Sequence, residues 1–259
     1  MERSGVNTRI AQGLWWVGLL SAVAGIVLLI ARISLIGGLA LGVGMVVLGL
    51  NTLLAGDLST GPGGRPFSVR GPVVRGNLEA RSGLSDLSVG VCPSDRIASL
   101  VYGPSGKPGF EVSEGVARVR LIQPAFPPGL ADWRADLASN VLWDVKATSW
   151  LGSLNIDLSQ LRLETLTAAT ALGHLTITCP TRGYVQLLLK TGLGEVEVNI
   201  PAQTAVKITV KRGKLASLTV KNPRLIAYRH DRYGTQDYDS ASAQVEIVIE
   251  SQAGDIVLA

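Results

Sequence analysis

Two patterns of apolar residues divide the chain. From Gln12 to Ala55 apolar positions run almost without interruption, and the single charge is Arg32. One bilayer crossing takes about 20 apolar residues, so the stretch predicts two transmembrane helices, at about 13–31 and 35–55, after an N-terminal tail of residues 1–11. Arg32 and Ser34 fall in the turn, because a guanidinium at mid-bilayer costs at least about 2.5 kcal/mol. Trp15 and Trp16 open the first span, where indoles favour the headgroup level. The stretch is too long for the core of a signal peptide, which is about 7 to 15 residues. Gly38 and Gly42 have the spacing of a close helix contact.

Beyond a Gly/Pro-rich linker at 57–67 the period changes from helical runs to alternation. Short alternating segments appear at Leu84 to Val91, Ile97 to Tyr102 and Val116 to Ile122, and predict strands. A repeat of about twenty-one residues then takes over, clearest in 149–259: Ser149-Trp-Leu-Gly152, Thr170-Ala-Leu-Gly173 and Thr191-Gly-Leu-Gly194, with Gly213, Gly234 and Gly254 continuing the beat. After each Leu-Gly, residues such as Leu154 and Ile156, Leu175 and Ile177, or Val196 and Val198 alternate with polar ones, and Pro180 and Pro201 close the strands. A second strand per unit appears at Val185 to Leu189 and Val206 to Val210. One unit cannot bury its apolar face alone, whereas units stacked in register form a continuous core, with glycine free to take positive φ at the corner. An antiparallel sandwich also has short strands, but it does not require Gly and Pro to recur at one offset. The fold class expected is therefore an all-β soluble domain, a β-solenoid spanning 68–259, preceded by an α-helical transmembrane hairpin.

Charge changes the picture in one place. The whole chain has a net charge of +4, yet Lys207, Lys211, Arg212, Lys214, Lys221, Arg224, Arg229 and Arg232 lie within 207–232, which contains one acid, Asp231. Tyr228, His230 and Tyr233 interleave with the last of these. Beside an anionic leaflet each well-placed cation adds about 1 kcal/mol of attraction, so this set is the candidate contact with a partner or with lipid; a solvated basic face is the alternative. Nucleic acid is set aside because the chain carries an anchor and no nucleic-acid-binding motif. Counting cations near the span ends, Arg3, Arg9, Arg65, Arg70 and Arg75 against Arg32, places both termini and the β-domain in the cytoplasm of a multi-pass cell-membrane protein.

Chemistry is sparse. Gly61-Pro-Gly-Gly lacks the Gly-Lys-Ser/Thr ending of a phosphate loop, and His174 and His230 stand in no metal-ligand spacing. Asp157, Glu195 and Glu197 read as outer-face residues, and Asp237 with Asp239 is a weak cation signal. No cofactor or metal is expected, and the chain reads as a non-enzyme. Cys92 and Cys179 are two reduced thiols in a cytoplasmic domain, or a pair in an exported one.

Leu142-Trp-Asp-Val-Lys146, Leu151-Gly-Ser-Leu-Asn-Ile-Asp-Leu158, Leu163 to Leu166, the two Thr-x-Leu-Gly elements and Val196-Glu-Val-Asn-Ile-Pro201 together resemble the bacterial toast-rack domain. The likeness covers about 68–259, is most specific from 140 to 221, and extends to the N-terminal hairpin. It implies a membrane-anchored, non-enzymatic protein similar to LiaF-like envelope-stress regulators, with a sensor histidine kinase as partner. An exported binding module facing the cell wall or an extracellular ligand is the competing reading.

Overall fold

A computed structural model describes residues 17–18, 20–24, 26–27, 39–47, 65–93, 95–103, 108–123 and 132–259. The described parts of both predicted spans are helical and touch each other: Ser21 donates its hydroxyl to the Ala40 carbonyl at 2.8 Å, and a Cβ on Gly44 would lie 2.6 Å from the Ala22 amide nitrogen. The close approach is at Gly44; Gly42 faces open space, and Gly38 lies outside the described residues. Among the described residues no helix is long and apolar enough to cross a membrane. Trp15, Trp16 and Arg32 lie outside them, as does most of the linker, although strand β1 (Arg65–Val69) already begins within the predicted linker.

The rest is strand, arranged as coils that each give one strand to a first ladder and one to a second. The coils are β2 (Arg75–Ser82) with β3 (Leu87–Cys92), β6 (Val116–Ile122) with β7 (Trp133–Ala138), and β8 (Leu142–Ser149) with β9 (Leu154–Asp157). Next come β10 (Arg162–Leu172) with β11 (Leu175–Thr178) and β12 (Gly183–Leu193) with β13 (Val196–Asn199). The long strands β14 (Thr204–Val220) and β17 (Ala243–Leu258) each serve both ladders. Pairing between coils is parallel throughout.

Stacking order departs from chain order at both ends. The β6–β7 coil packs outside β2–β3, and β17 slides between β12–β13 and β14, so the first coil of the chain and its last strand each sit one rung in. The solenoid expectation holds for the stacked core, and fails for the sequential order that a simple coil would impose. Antiparallel strands terminate the stack: β5 (Gly109–Ser113) on β6, and β4 (Ala98–Tyr102) on β7 with β1 beyond it. At the far end the hairpin β15 (Ile226–Arg229) and β16 (Arg232–Gly234) pairs with Lys207 to Thr209.

Alternation puts the apolar columns between the ladders. Leu78, Val145, Leu166, Leu187, Ile247 and Ile208 are paired in register, as are Leu87, Leu154, Leu175, Val196, Ile256 and Leu218. All but Leu218 are buried, and each such side chain contributes about 1.5–3 kcal/mol of transfer free energy. Trp143 and Trp133 fill the wide end; Gly76 is needed there, because a Cβ would sit 2.3 Å from the Trp143 ring.

The glycines and hydroxyl residues of the repeat motif sit in stacked columns. Its glycines stack: a Cβ on Gly173 would lie 2.5 Å from the Gly152 carbonyl, and one on Gly194 would lie 2.0 Å from the Gly173 carbonyl. A Cβ on Gly254 would likewise lie 2.0 Å from the Gly194 carbonyl. The hydroxyl residues before them, Ser149, Thr170, Thr191 and Ser251, form a buried column; Ser149 Oγ accepts the Gly152 N–H and Thr170 donates to the Gly152 carbonyl. Gly213 and Gly234 do not join this column. Gly213 abuts Gln252 at a register shift, and Gly234 lies in the antiparallel β16 under the Tyr228 ring.

Candidate functional site

The basic set predicted from sequence gathers at the end of the stack formed by β14 and its hairpin, but the fold brings acids to it that lie outside 207–232. Glu250 on β17 meets both Lys190 (2.8 Å) and Lys211 (3.0 Å), which hold its carboxyl below the usual value. Asp239 pairs with Lys207 (3.2 Å), whose ammonium also sits 3.9 Å from the centre of the Tyr238 ring. Asp237 pairs with Arg224 (3.3 Å); hydrogen bonding from Thr235, its own backbone and then Arg224 lower its pKa. Asp231 takes the turn position with φ +57° and draws in Arg212, with Nη2 at 2.9 Å from Oδ1 and an aligned hydrogen bond from Nε to Oδ2 at 3.3 Å. His230, highly exposed, lies 3.2 Å from the same carboxylate. The uniformly basic stretch of the sequence is thus half neutralised.

Four of the eight cations of 207–232 keep no carboxylate within 4 Å among the described residues: Lys214, Lys221, Arg229 and Arg232. Arg229 and Arg232 stand directly opposite each other in the hairpin, an arrangement that is repulsive without a counter-charge. With Lys207, Thr209, Tyr228 and Tyr233 they line a cleft of about 260 Å³. The Tyr228 ring packs against Gly234, where a Cβ would lie 2.6 Å from it, and its hydroxyl donates to the Thr235 carbonyl at 3.2 Å, fixing one wall.

The sequence reading missed a second surface. Leu172 and Leu193 of two Leu-Gly pairs are turned outward where the chain rounds the corner, and with Trp150 (63 % exposed) and Leu215 (80 %) they form one edge. Leu172, Leu193, Ala253 and Leu215 are paired in register, and the Leu172 amide bonds the Trp150 carbonyl. Five rungs at about 4.8 Å make an apolar edge roughly 19 Å long. The corner segments 148–152, 170–173, 191–194, 251–254 and 212–216 contain no acid, and their only charges are Arg212 and Lys214. The signal was present in the sequence: leucine recurs where a buried column would already have ended in Thr170 and Thr191.

The other candidates fall apart. Asp157 lies on the outer face of β9, Glu197 on that of β13 and Glu195 in the turn before β13, and His174 is exposed 3.8 Å from Glu195. Among the described residues no three His, Cys, Asp or Glu side chains are grouped to hold a metal ion. Cys92 and Cys179 are both buried and unpaired; burial pushes the Cys179 thiol up to about 12 and raises Cys92 too.

No protein-family model matches the chain, and no curated protein matches it. Among solved structures, a protein of Clostridium sporogenes ATCC 15579 described as a "putative cell adhesion protein" superposes with a TM-score of 0.67 at 18% identity, over 75% of this chain and 97% of that one. At that identity the likeness is one of fold: this chain shares with it a mostly-β, stacked-strand architecture, compatible with a toast-rack type domain.

Proposed function

We propose that this protein is a non-enzymatic scaffold held at a cell membrane by its N-terminal apolar segments, whose β-domain rests its apolar corner and basic end against lipid headgroups. In this reading it is a regulator in envelope-stress signalling, acting on a membrane partner such as a sensor kinase. The observation that carries it is the corner itself. A water-soluble domain has no folding reason to line one corner with outward Trp150, Leu172, Leu193 and Leu215, because each could be polar without loss of core. An edge of Trp and Leu free of acids, ending at Arg212 and Lys214, has the composition of an interfacial contact. The mutual contact of the described helical residues, Ser21 with Ala40 and Ala22 with Gly44, supports a hairpin anchor.

The contact is tested with Leu193→Cys in the full chain, since Cys92 and Cys179 are buried and silent. A membrane-impermeant maleimide should label this variant several-fold more slowly in nanodiscs containing anionic lipid than in detergent. Equal rates would remove the lipid contact. The regulatory role is tested separately, by deletion: unchanged envelope-stress signalling, together with no membrane protein recovered in mild detergent, would discard it.

The description attached to the Clostridium structure favours a second reading, an exported module that binds an extracellular or wall ligand. A reporter fused after Ala259 decides between them. Activity on the cytoplasmic side keeps the first reading, and activity outside selects the second.

A further inference from the structure

Each ladder has two ends, and three of the four finish in antiparallel strands that bond the last parallel rung: β5 on β6, β4 with β1 on β7, and β16 with β15 on the first part of β14. The fourth end is bare. Among the described residues no strand lies beyond β14 from Lys211 to Val220, whose only neighbour there is β17. Lys221 gives its amide to the Leu258 carbonyl at 2.8 Å, so by alternation the N–H and C=O groups of Leu218 and Val220 point away from β17, along the open edge. Their side chains end two core columns. Leu218 follows Ile256, and Val220, 37 % exposed, follows Leu258, so both columns stop with one flank uncovered.

We infer that the open edge of β14, residues 216–220, is a strand-addition site for an extended segment of a partner protein that alternates apolar and acidic residues. The apolar requirement comes from the columns: a strand laid beside β14 places every second side chain over Leu218 and Val220 and completes the rung. The acidic requirement comes from Lys214 and Lys221, which bracket the edge and have no carboxylate within 4 Å among the described residues. The same lysines argue against a second copy of this edge as occupant, because an antiparallel β14–β14 pair brings the four ammonium groups of two copies to one seam. Main-chain bonding supplies affinity in this mode, and the side-chain pattern supplies selection. The inference is independent of the lipid contact, since the corner can fail the maleimide test with this edge unaffected.

The test uses the full chain in detergent micelles and three fluorescent nonapeptides: alternating valine and glutamate, alternating valine and lysine, and the valine–glutamate peptide with alternate backbone amides N-methylated. Anisotropy should show saturable binding of the first alone, with slowed amide exchange at Leu218 and Val220. The double reversal Lys214→Glu/Lys221→Glu, on exposed side chains, should weaken that peptide at least tenfold and admit the valine–lysine one. Equal binding of the N-methylated peptide would reduce the site to charge attraction and overturn the inference. So would no binding of the valine–glutamate peptide at millimolar concentration, or a concentration-dependent dimer that protects 216–220 without peptide.

Discussion

Single residues carry the repeat through what they lack. Gly194 adopts φ +144° and leaves no room for a Cβ against the Gly173 carbonyl, whereas Gly183, at φ +79°, faces open space. Alanine at Gly183 should cost only the left-handed penalty of about 1–2 kcal/mol. At Gly194 it must also push apart two rungs, so Gly194→Ala should lose clearly more in a urea melt. Charge at this scale is read through pH. Glu250 has its folded pKa lowered first by the Lys190 hydrogen bond and then by that of Lys211. Its contribution to stability is thus present above the ordinary value of 4.5 and is lost as pH falls through the lower folded value. Glu250→Gln should flatten that part of the melting-temperature profile between pH 5 and pH 3. The burial that raises the Cys179 thiol to about 12 predicts no alkylation at pH 8 until urea unfolds the domain.

Elements depend on how a strand's alternation meets its neighbours. Trp143 on β8 packs over Gly76 on β2 and donates its indole N–H to the carbonyl of Ala138, the last residue of β7, at 2.9 Å, tying three coils together. Trp143→Ala leaves both a cavity and an unpaired carbonyl, and should destabilise by about 3–5 kcal/mol in chemical denaturation. Strands β9, β11 and β13 were legible from sequence because every second residue is apolar and a Leu-Gly pair precedes each. Strand β2 escaped notice, since Arg75-Gly-Asn-Leu-Glu-Ala-Arg-Ser82 offers only small residues beside Leu78. Gly76 is there because Trp143 occupies its side-chain space from the next coil, a fact that no local window contains. Tyr228, Arg229, His230, Arg232 and Tyr233 were legible as a candidate contact, but not as part of a hairpin, β15–β16, that pairs with the first part of β14 and turns at Asp231.

At the scale of the molecule the last strand is the keystone. Both halves of β17 pair on one side with β12 and β13 and on the other with β14, so β14 reaches the rest of the stack through a segment that follows it in the chain. A chain ending at Ser242 should therefore lose amide protection throughout 204–220 in hydrogen exchange while the coils from β8 to β12 retain theirs. Non-local pairing of this kind also makes slow folding the expectation.

The amino-acid sequence alone determined the period, the apolar columns, the corner glycines and the all-β class, because alternation and steric demand on glycine are local properties that any stacking partner must respect. It also placed the cations of 207–232 in one region. Tertiary structure decided which rung lies next to which, and hence that Glu250, Asp239 and Asp237 join Asp231 in pairing half of those eight cations, while Lys214 and Lys221 have no carboxylate within 4 Å among the described residues. It decided too that the repeated leucines face outward and that one ladder end is left open. Side-chain spacing fixes which residues share a face, but the order of identical rungs is settled only by the ends, where loops, tryptophans and capping hairpins break the degeneracy of the repeat.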